Sequence, residues 1–418
     1  MSPLDRLMRA FSAGVYRNRG FRAFLLARLA GMFATQIQAT VVAWQAYERT
    51  HDAMALAYVG LAQFLPMVFL LMPAGDWMDR HARKPILMLS WSLALLCAVS
   101  LWWISGRGGD GMTGIYLTLL LFGASRAFSG PAVQSLLPQI VPRAQLAQAI
   151  AANGMLMRAA SIGGPLIGGF LYAWGGGVCA YAVCAFCFLL GVLMLFGVKT
   201  AHAEARAANT GTMWRRFVLG IAFIRDRPLI LGSISLDLFA VLLGGAVALL
   251  PIYAEEILRV GAEGLGALRS ALALGEMGAG FCLSVRPFNR NVGRNLFIAV
   301  TVFGLANLFF ACSRVFWLSF AALMLAGAAD MVSVYIRGAL VQFSTPDEMR
   351  GRVSAVNMLF IGASNELGEF RAGASAACFG AVPAALLGSL CTLGVVGIWR
   401  WRFKPLWNVK CFEEATEK

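Results

Sequence analysis

Charged side chains interrupt several of the long apolar runs of this 418-residue sequence. Arg126, Glu276 and Asp330 lie deepest, and Arg126 is about 13 residues into its run, or roughly 20 Å along a helix. A charge at that depth in a bilayer costs at least ~2.5–3.5 kcal/mol, so it normally faces a cavity or a partner. Such positions could bind ions: a carboxylate in a low dielectric favours its protonated form and can exchange a proton.

The two halves of the chain differ in the sign of these embedded charges. Those of the first half are all positive: Arg28, Arg126 and Arg158. Five of the eight in the second half are acidic, namely Asp237, Glu276, Asp330, Glu366 and Glu369, and the others are Arg269, Arg337 and Arg371. Ion pairs that only hold helices together are the alternative for any one residue, but they do not explain the segregation.

This distribution predicts a cavity with a cationic wall and an acidic wall. The predicted substrate cavity contains Arg28, Arg126, Arg158 and Asp237. The predicted proton-coupling residues are Arg126, Glu276, Asp330, Glu366 and Glu369. The cationic wall would suit an anionic or zwitterionic substrate, and the carboxylates would carry protons.

The composition requires a membrane around these charges. Hydrophobic residues make up 59% of the chain and charged residues 13%, with a mean hydropathy of +0.71. A soluble protein of this size has about 25% charged residues, so here lipid must cover the surface. The net charge of +14 is explained by basic cytoplasmic loops, and we do not expect nucleic-acid binding.

Twelve apolar runs are long enough to cross about 30 Å of hydrocarbon. They lie near 22–48, 55–78, 85–105, 113–137, 147–173, 178–198, 228–253, 264–286, 295–313, 316–342, 352–374 and 380–402. If both termini face the cytoplasm, most of the 35 lysine and arginine residues lie inside, and the outside loops contain only Arg49, Arg107, Arg259 and Arg314. That asymmetry follows the positive-inside rule and predicts a multi-pass inner-membrane protein with cytoplasmic termini.

The sequence also contains an internal repeat. Pro142 and Asn153 correspond to Pro346 and Asn357, and the same spacing pairs Gly164 with Gly368. We therefore predict a six-helix bundle over 1–198, a cytoplasmic linker over 199–227, a second six-helix bundle over 228–403 and a cytoplasmic tail over 404–418. Parallel repeats of this kind commonly place a substrate site between them.

The loop between the second and third spans carries a motif of Gly75, Asp79, Arg80, Arg83 and Lys84. A simple basic loop accounts for its arginines and lysine, but not for the aspartate among them or the preceding glycine. The motif resembles the G-x-x-x-D-R-x-G-R-K/R signature of the major facilitator superfamily, from which it departs only at Ala82.

Two further stretches narrow the resemblance. Arg126 to Gly130 is similar to the R-x-x-Q-G signature of proton-driven members, with Ser129 in place of glutamine. Gly164, Pro165, Gly168 and Gly169 match the G-P-x-x-G-G signature of drug:proton antiporters, although a kink that only packs the helix is the alternative. Over the whole chain the resemblance is to the branch containing the enterobactin exporter and macrolide efflux proteins.

That resemblance implies the fold and the function. The fold is an all-α membrane protein with twelve transmembrane helices in two pseudo-symmetric six-helix bundles. The function is proton-coupled export of a small organic molecule, a siderophore or a drug, by an alternating-access antiporter that is monomeric. In the family fold spans 2 and 11 meet at the cytoplasmic side, so Asp79 would form a gate with the start of span 11, near Arg350 and Arg352.

Other functions stay open at this stage. An uptake symporter, a metal-ion exporter and a non-transporting membrane receptor or assembly factor are the alternatives. A metal exporter would need several ligands at one depth, whereas the histidines, His51, His81 and His202, lie in predicted loops. No H-E-x-x-H, P-loop or G-x-S-x-G motif occurs, so we expect neither an enzyme nor a bound cofactor or metal.

Overall fold

The computed structural model describes residues 16, 18–107, 111–198 and 213–415. Within these ranges, the side chains of Met72, Asp76, Asp79, residues 213–216, Asp347 and Ala415 lie outside the described part. All regular elements of the described residues are helices, as expected from the sequence.

The first half contains five long helices, and the last of them crosses twice. They are α1 (Arg19–Thr50), α2 (Ala53–Arg80), α3 (Arg83–Gly106), α4 (Met112–Ile140) and α5 (Leu146–Phe196). The helical geometry of α5 breaks at Gly175 and at Gly176, which has a φ of 64°. Glycine adopts a positive φ without steric penalty, so this break divides α5 into the two spans that the sequence predicts.

The second half begins with a shorter helix and continues with six spans. The helices are α6 (Met213–Arg225), α7 (Pro228–Gly244), α8 (Gly261–Val285), α9 (Val292–Cys312), α10 (Phe316–Phe343), α11 (Asp347–Phe379) and α12 (Ala381–Arg402). The α7 span continues beyond Gly244 through short helical turns that end in a π-helix at Tyr253–Ile257. Helix α6 lies within the predicted linker, where the sequence analysis does not predict a helix.

Length and hydropathy allow eight segments of the described residues to cross a membrane. One of them, Arg143–Phe196, has 54 residues and contains both spans of α5. Helices α4, α8 and α11 are not among the eight, and these are helices with charges in the middle, such as Arg126, Glu276 and Glu366. Each of these three helices carries a candidate functional residue, but α1, α5, α7 and α10, which are among the eight, carry others.

The chain divides into two compact units. The first contains Met1–Val41 and Leu65–Thr210. Its core joins α1, α3, α4 and α5 through fully or nearly fully buried side chains, including Phe21, Phe24, Trp91, Leu136 and Leu195. The second unit contains Val42–Phe64 and Gly211–Lys418, so it includes the ends of α1 and α2 that adjoin the first loop.

The second unit also uses the C-terminal segment as part of its core. Leu406, Val409 and Phe412 are buried with α7, α9 and α10 side chains. The backbone N–H of Gly293, at the start of α9, donates to the Val409 carbonyl at 3.0 Å. The segment that the sequence analysis assigns to a cytoplasmic tail is thus a packed part of this unit.

The internal repeat reappears in the packing of each unit. In the first unit, a Cβ added at Gly164 of α5 would collide with the Gln36 side chain of α1. In the second unit, a Cβ at Gly368 of α11 would lie 2.9 Å from the Val241 carbonyl oxygen of α7. Close helix approach at small residues is the usual way in which membrane helices pack.

Candidate functional site

A buried ion pair joins α7 to α10. The Arg337 guanidinium contacts the Asp237 carboxylate, and Asp237 and Arg337 are 8% and 4% exposed. Removing one partner of a buried pair leaves an uncompensated charge, which typically costs about 3–5 kcal/mol. The sequence-predicted cavity residue Asp237 is therefore already neutralised by an arginine of its own unit.

Asp237 also lines a very small cavity of about 10 Å³ together with Asp330. Its other lining residues are Ala240, Val241, Val300, Phe303 and Ser333. Asp330, Ser333 and Arg337 are spaced three and four residues apart on α10, so they lie on one helix face. Two carboxylates and one guanidinium thus meet at a site whose remaining walls are mostly apolar.

Helix α10 is held there by a very close contact with α8. A Cβ added at Gly275 of α8 would overlap the Met324 carbonyl of α10, and one added at Gly327 would overlap the Leu272 carbonyl of α8. The two candidate proton carriers are nearby in sequence, since Glu276 follows Gly275 and Asp330 follows Gly327 by three residues. The reciprocal glycine contact therefore fixes the helices that carry both carboxylates.

The two remaining span arginines of the second unit have different partners. Arg269 of α8 interacts electrostatically with Glu369 of α11. The Nε of Arg371 donates to the Leu242 carbonyl at 3.0 Å, near the end of α7. Asp237 and Glu369 therefore each face an arginine. The other three predicted acidic residues, Glu276, Asp330 and Glu366, are partly buried.

The predicted arginines of the first unit are partly buried and lie near open space. Arg28 of α1 donates through Nε to Asn153 of α5 at 3.4 Å. Arg126 precedes Gly130 by four residues on α4, and Arg158 follows Gly154 by four residues on α5. A Cβ added at Gly130 or Gly154 would meet nothing within 4 Å. Because residues four apart share a helix face, Arg126 and Arg158 each adjoin an open region.

The antiporter-like motif of α5 forms a packing surface. Gly164, Pro165, Gly168 and Gly169 are buried. A Cβ added at Gly168 would lie 3.2 Å from the Ile37 Cα of α1. These glycines bring α5 against the same helix that carries Arg28.

The motif between α2 and α3 is only partly described. Gly75 lies in α2, Arg80 is its last residue, and Arg83 begins α3, whereas the Asp79 side chain lies outside the described part. The Lys84 ammonium donates to the Val198 carbonyl at 2.8 Å and to the Phe196 carbonyl at 3.3 Å. A cation at a helix C-terminus is stabilising, so Lys84 fastens the end of α5.

Arg350 and Arg352, the predicted partners of that motif, lie in the first turns of α11. Arg350 is exposed and Arg352 partly buried. The backbone of Arg352 packs against Gly220 of α6.

A group of polar contacts in the second unit was missed by the sequence analysis. The Tyr47 hydroxyl at the end of α1 donates to the Glu256 carboxylate. His51 Nδ1 lies 3.5 Å from Glu255 Oε1. Farther along α2, a Cβ added at Gly60 would lie 3.7 Å from the Glu369 Cβ of α11. Together these contacts join the loop-side ends of α1 and α2 to the end of the α7 span and to α11.

Gln38 of α1 was also missed. Its side chain is 1% exposed, and neither amide atom has a hydrogen-bond partner among the described residues. A buried polar group without a partner costs roughly 1–3 kcal/mol. An amide within an apolar span is the signal that could have identified it.

The family described as transmembrane secretion effector matches residues 11–415. Enterobactin exporter EntS of Escherichia coli O1:K1 / APEC is 25% identical over 407 residues, which cover 92% of this chain and 94% of the relative. EntS of Shigella boydii serotype 18 (strain CDC 3083-94 / BS512) has the same identity and coverage.

Solved transporter structures share the fold. A bacterial homologue of the iron transporter ferroportin in an inward-facing state is 16% identical, covers 93% of this chain and 99% of its own, and has a TM-score of 0.70. A POT family transporter in complex with 5-aminolevulinic acid is 10% identical, covers 94% of this chain and 98% of its own, and has a TM-score of 0.73. At these identities the likeness concerns the fold alone, and it confirms the predicted major facilitator architecture.

Proposed function

This chain belongs to the transmembrane secretion effector family of the major facilitator superfamily, and from that membership we propose that it exports a siderophore or a drug of similar chemistry across the inner membrane. The observation that carries the proposal is the match to an enterobactin exporter along 92% of this chain and 94% of the relative. A match over nearly the full length of both chains includes both bundles, so it concerns the whole transporter and not a shared segment.

The arginines of the first unit support an anionic or zwitterionic substrate. Open space lies beside Gly130 and Gly154, one helical turn from Arg126 and Arg158, and Arg28 donates a hydrogen bond of 3.4 Å to Asn153. A guanidinium offers several donors in a fixed fork and binds planar anionic groups well. These three residues would hold the substrate's acidic groups.

The α7–α10 cavity supports coupling to protons. Asp330 lies in the same mostly apolar cavity as the Asp237–Arg337 pair, and it is the carboxylate of that cavity that this ion pair does not use. Asp330 would therefore take up a proton from the outside and release it to the inside during each export cycle, and Glu276 and Glu366 are the alternative carriers.

Alternating access would use two sets of contacts. On the cytoplasmic side, Asp79 would meet the first turn of α11 near Arg350 and Arg352 in the outward-open state. On the opposite side, the Tyr47–Glu256 and His51–Glu255 contacts would break when the pathway opens outward.

The test uses purified protein in proteoliposomes. With an imposed proton gradient, we expect uphill movement of a catechol siderophore or of a lipophilic drug, and measurable proton counter-movement reported by a pH-sensitive dye. Counterflow without any gradient dependence would contradict proton coupling. Absence of counterflow for every siderophore and drug tested, by protein that remains folded, would overturn the proposed export.

Variants separate coupling from binding in the same assay. Asp330→Asn should abolish uphill transport and preserve substrate counterflow, because the asparagine stays neutral throughout the cycle. Arg126→Ala should lose both activities. Unchanged uphill transport in Asp330→Asn, Glu276→Gln and Arg126→Ala would return these residues to a structural role.

A further inference from the structure

A groove runs between α8 and α9, both of which pack against α10. Its volume is about 430 Å³, which lies within the roughly 300–1,000 Å³ of pockets that hold small ligands. Ala328 and Val332 of α10 line its floor, Ala279 of α8 lines one wall, and Ile298 and Val302 of α9 line the other. The groove is therefore apolar along most of its length.

The groove is open along one side. Ile298 and Leu325 at its edges are 47% and 50% exposed. Because α9 and α10 are long and apolar enough to cross a membrane, the surface that they expose between their ends contacts acyl chains. The groove shares none of its lining residues with the cavity of Asp237 and Asp330. It is thus a lipid-facing site that is distinct from the candidate proton site.

The apolar space continues along α8. A second cavity, of about 490 Å³, shares Ala279 and Val332 with the groove. Cys282 and Arg286 also line this second cavity. Arg286 directly follows Val285, the last residue of α8. The two cavities together therefore lead from the middle of α10 to an arginine at the end of α8.

Two further arginines lie at the same end of the groove. Arg294 precedes the wall residue Ile298 by four positions on α9, so both lie on one helix face. The Asn295 side chain lines the groove and donates through Nδ2 to the Arg290 carbonyl at 3.0 Å. Arg286, Arg290 and Arg294 are all exposed, so their guanidinium groups are accessible beside an apolar groove.

The charges around this end are mostly positive. The sequence has no aspartate or glutamate between 277 and 329. Glu414 belongs to the C-terminal segment, which contacts the loop through Asn289, and its carboxylate accepts from the Lys410 backbone N–H at 3.0 Å. Because α9 is a span that begins at Val292, the loop before it lies at the level of lipid head groups. Basic residues between membrane helices at that level attract anionic head groups.

We propose that this groove binds an acyl chain of an anionic phospholipid, whose phosphate and acidic head group contact Arg286, Arg290 and Arg294. A neutral lipid would leave the arginines without an anionic partner, and a soluble anion would leave the apolar groove unfilled. Ala328 lies two positions before Asp330, so the bound lipid would pack on the helix that carries the proposed proton carrier. The site itself does not depend on which molecule the protein transports.

Photo-cross-linking of the purified full-length protein tests the proposal. The probe is phosphatidylglycerol with a diazirine at the end of one acyl chain, and phosphatidylcholine with the same chain is the comparison, each diluted into nanodiscs of neutral lipid. We expect phosphatidylglycerol to label the peptides that contain Ile298 and Ala328 in preference to phosphatidylcholine. Arg286→Gln/Arg294→Gln should reduce that labelling about tenfold, because two head-group charges are lost.

A second variant tests the apolar part of the site. Ala328→Phe fills the groove and should reduce labelling by both lipids. Ala321→Phe is its matched control, because Ala321 lies two turns away on α10 and does not line the groove. Melting temperatures show which variants are folded, and the arginine variant still tests the proposal if Ala328→Phe does not fold.

Matched controls also apply to the charges. Arg286→Lys/Arg294→Lys should keep the labelling, since head-group binding needs the charge. Arg314→Gln removes an exposed arginine at the opposite end of α9 and should leave it unchanged. Labelling spread evenly over all exposed helices, or equal labelling by the two lipids, would mean an annular lipid only and would overturn the proposal. Full competition by soluble glycerol phosphate would also overturn it, because a free phosphate would then suffice.

Discussion

At the residue scale, Arg337 has two consequences for the second unit. It neutralises Asp237 inside a unit that offers little water to either charge, and it leaves Asp330 as the second carboxylate of the same cavity. Asp237 and Arg337 both lie within predicted spans. They are 100 positions apart along the chain, so the sequence does not show that they form an ion pair. Only the packing of α7 on α10 shows which carboxylate is already neutralised.

The pairing predicts a specific stability pattern. Arg337→Leu should destabilise the protein by about 3–5 kcal/mol, because it leaves the Asp237 carboxylate buried without a partner. The double variant Arg337→Leu/Asp237→Leu should recover most of that loss, since no charge stays behind. Thermal unfolding in detergent measures both. Equal melting temperatures for the single variant and the wild type would mean that water reaches Asp237.

Replacement of Gln38 should stabilise the protein, in contrast to the destabilising Arg337→Leu substitution. Gln38→Met keeps a similar volume and removes amide atoms that have no partner among the described residues. The free energy of unfolding should increase by roughly 1–3 kcal/mol, so the melting temperature should rise. Substrate counterflow should fall if the amide contacts the substrate during the cycle. Thr40→Val is the matched control, because the Thr40 hydroxyl already donates to the Gln36 carbonyl. A less stable Gln38→Met protein would contradict the expectation.

The contacts of Tyr47 and His51 could not be predicted from the sequence. Tyr47 and Glu256 are 209 positions apart, and both lie at predicted span ends, where polar residues are ordinary. Nothing in their local pattern distinguishes a contact from exposure to water.

At the element scale, the span predictions were largely confirmed because a bilayer fixes the length of each helix. The break of α5 could be predicted because three consecutive glycines, Gly175 to Gly177, separate two apolar runs. Helix α6 could not, because its apolar run over 217–224 is too short for a membrane span and lies in a segment predicted to be a polar linker.

The reciprocal glycine contact of α8 and α10 gives a prediction for these elements. Gly275→Val should lower the melting temperature strongly or prevent folding, because its side chain would overlap the Met324 backbone of α10. Gly397→Val on α12 is the control, since a Cβ there would meet nothing within 4 Å. Both proteins would be compared by yield and by thermal unfolding. Equal yields and equal melting temperatures of the two variants would show that α8 and α10 can move apart without loss of stability.

The proposed gate gives a second prediction at this scale. A carboxylate near the first turn of a helix is worth about 0.3–1 kcal/mol, and up to ~2 when partly buried. Asp79→Asn should therefore shift the population toward the inward-open state by a few-fold to tenfold. Reaction of a cysteine introduced at the exposed Ala144 should become faster, and transport should fall. Unaltered reactivity and turnover would place the gate elsewhere.

At the scale of the whole molecule, composition and the length of the apolar runs predicted a multi-pass membrane protein, and the resemblance of its motifs to the major facilitator superfamily implied the architecture. The family and the twelve-helix fold were confirmed. Apolar runs of this length could be predicted as helices because a helix satisfies its backbone hydrogen bonds within one segment in lipid. The division into compact units could not be predicted at the level of residues, since Val42–Phe64 belongs by its contacts to the second unit.

Orientation in the membrane stays a prediction with a direct test. In a background from which the nine native cysteines have been removed, single cysteines at Arg107 and Arg314 should react with an impermeant maleimide in spheroplasts. Cysteines at His81 and His202 should react only after lysis. Reaction at His202 from outside would overturn the assignment of cytoplasmic termini.

The assignment of Val42–Phe64 to the second unit has a consequence for biosynthesis. This segment emerges from the ribosome when about a sixth of the chain is made, whereas α11, against which Ala57 and Gly60 pack, emerges near the end. The ends of α1 and α2 must therefore wait in the translocon or in lipid until α11 is inserted. A chain split in the linker would accordingly yield a first fragment that carries the missing piece of the second, so the two fragments should accumulate only when they are co-expressed.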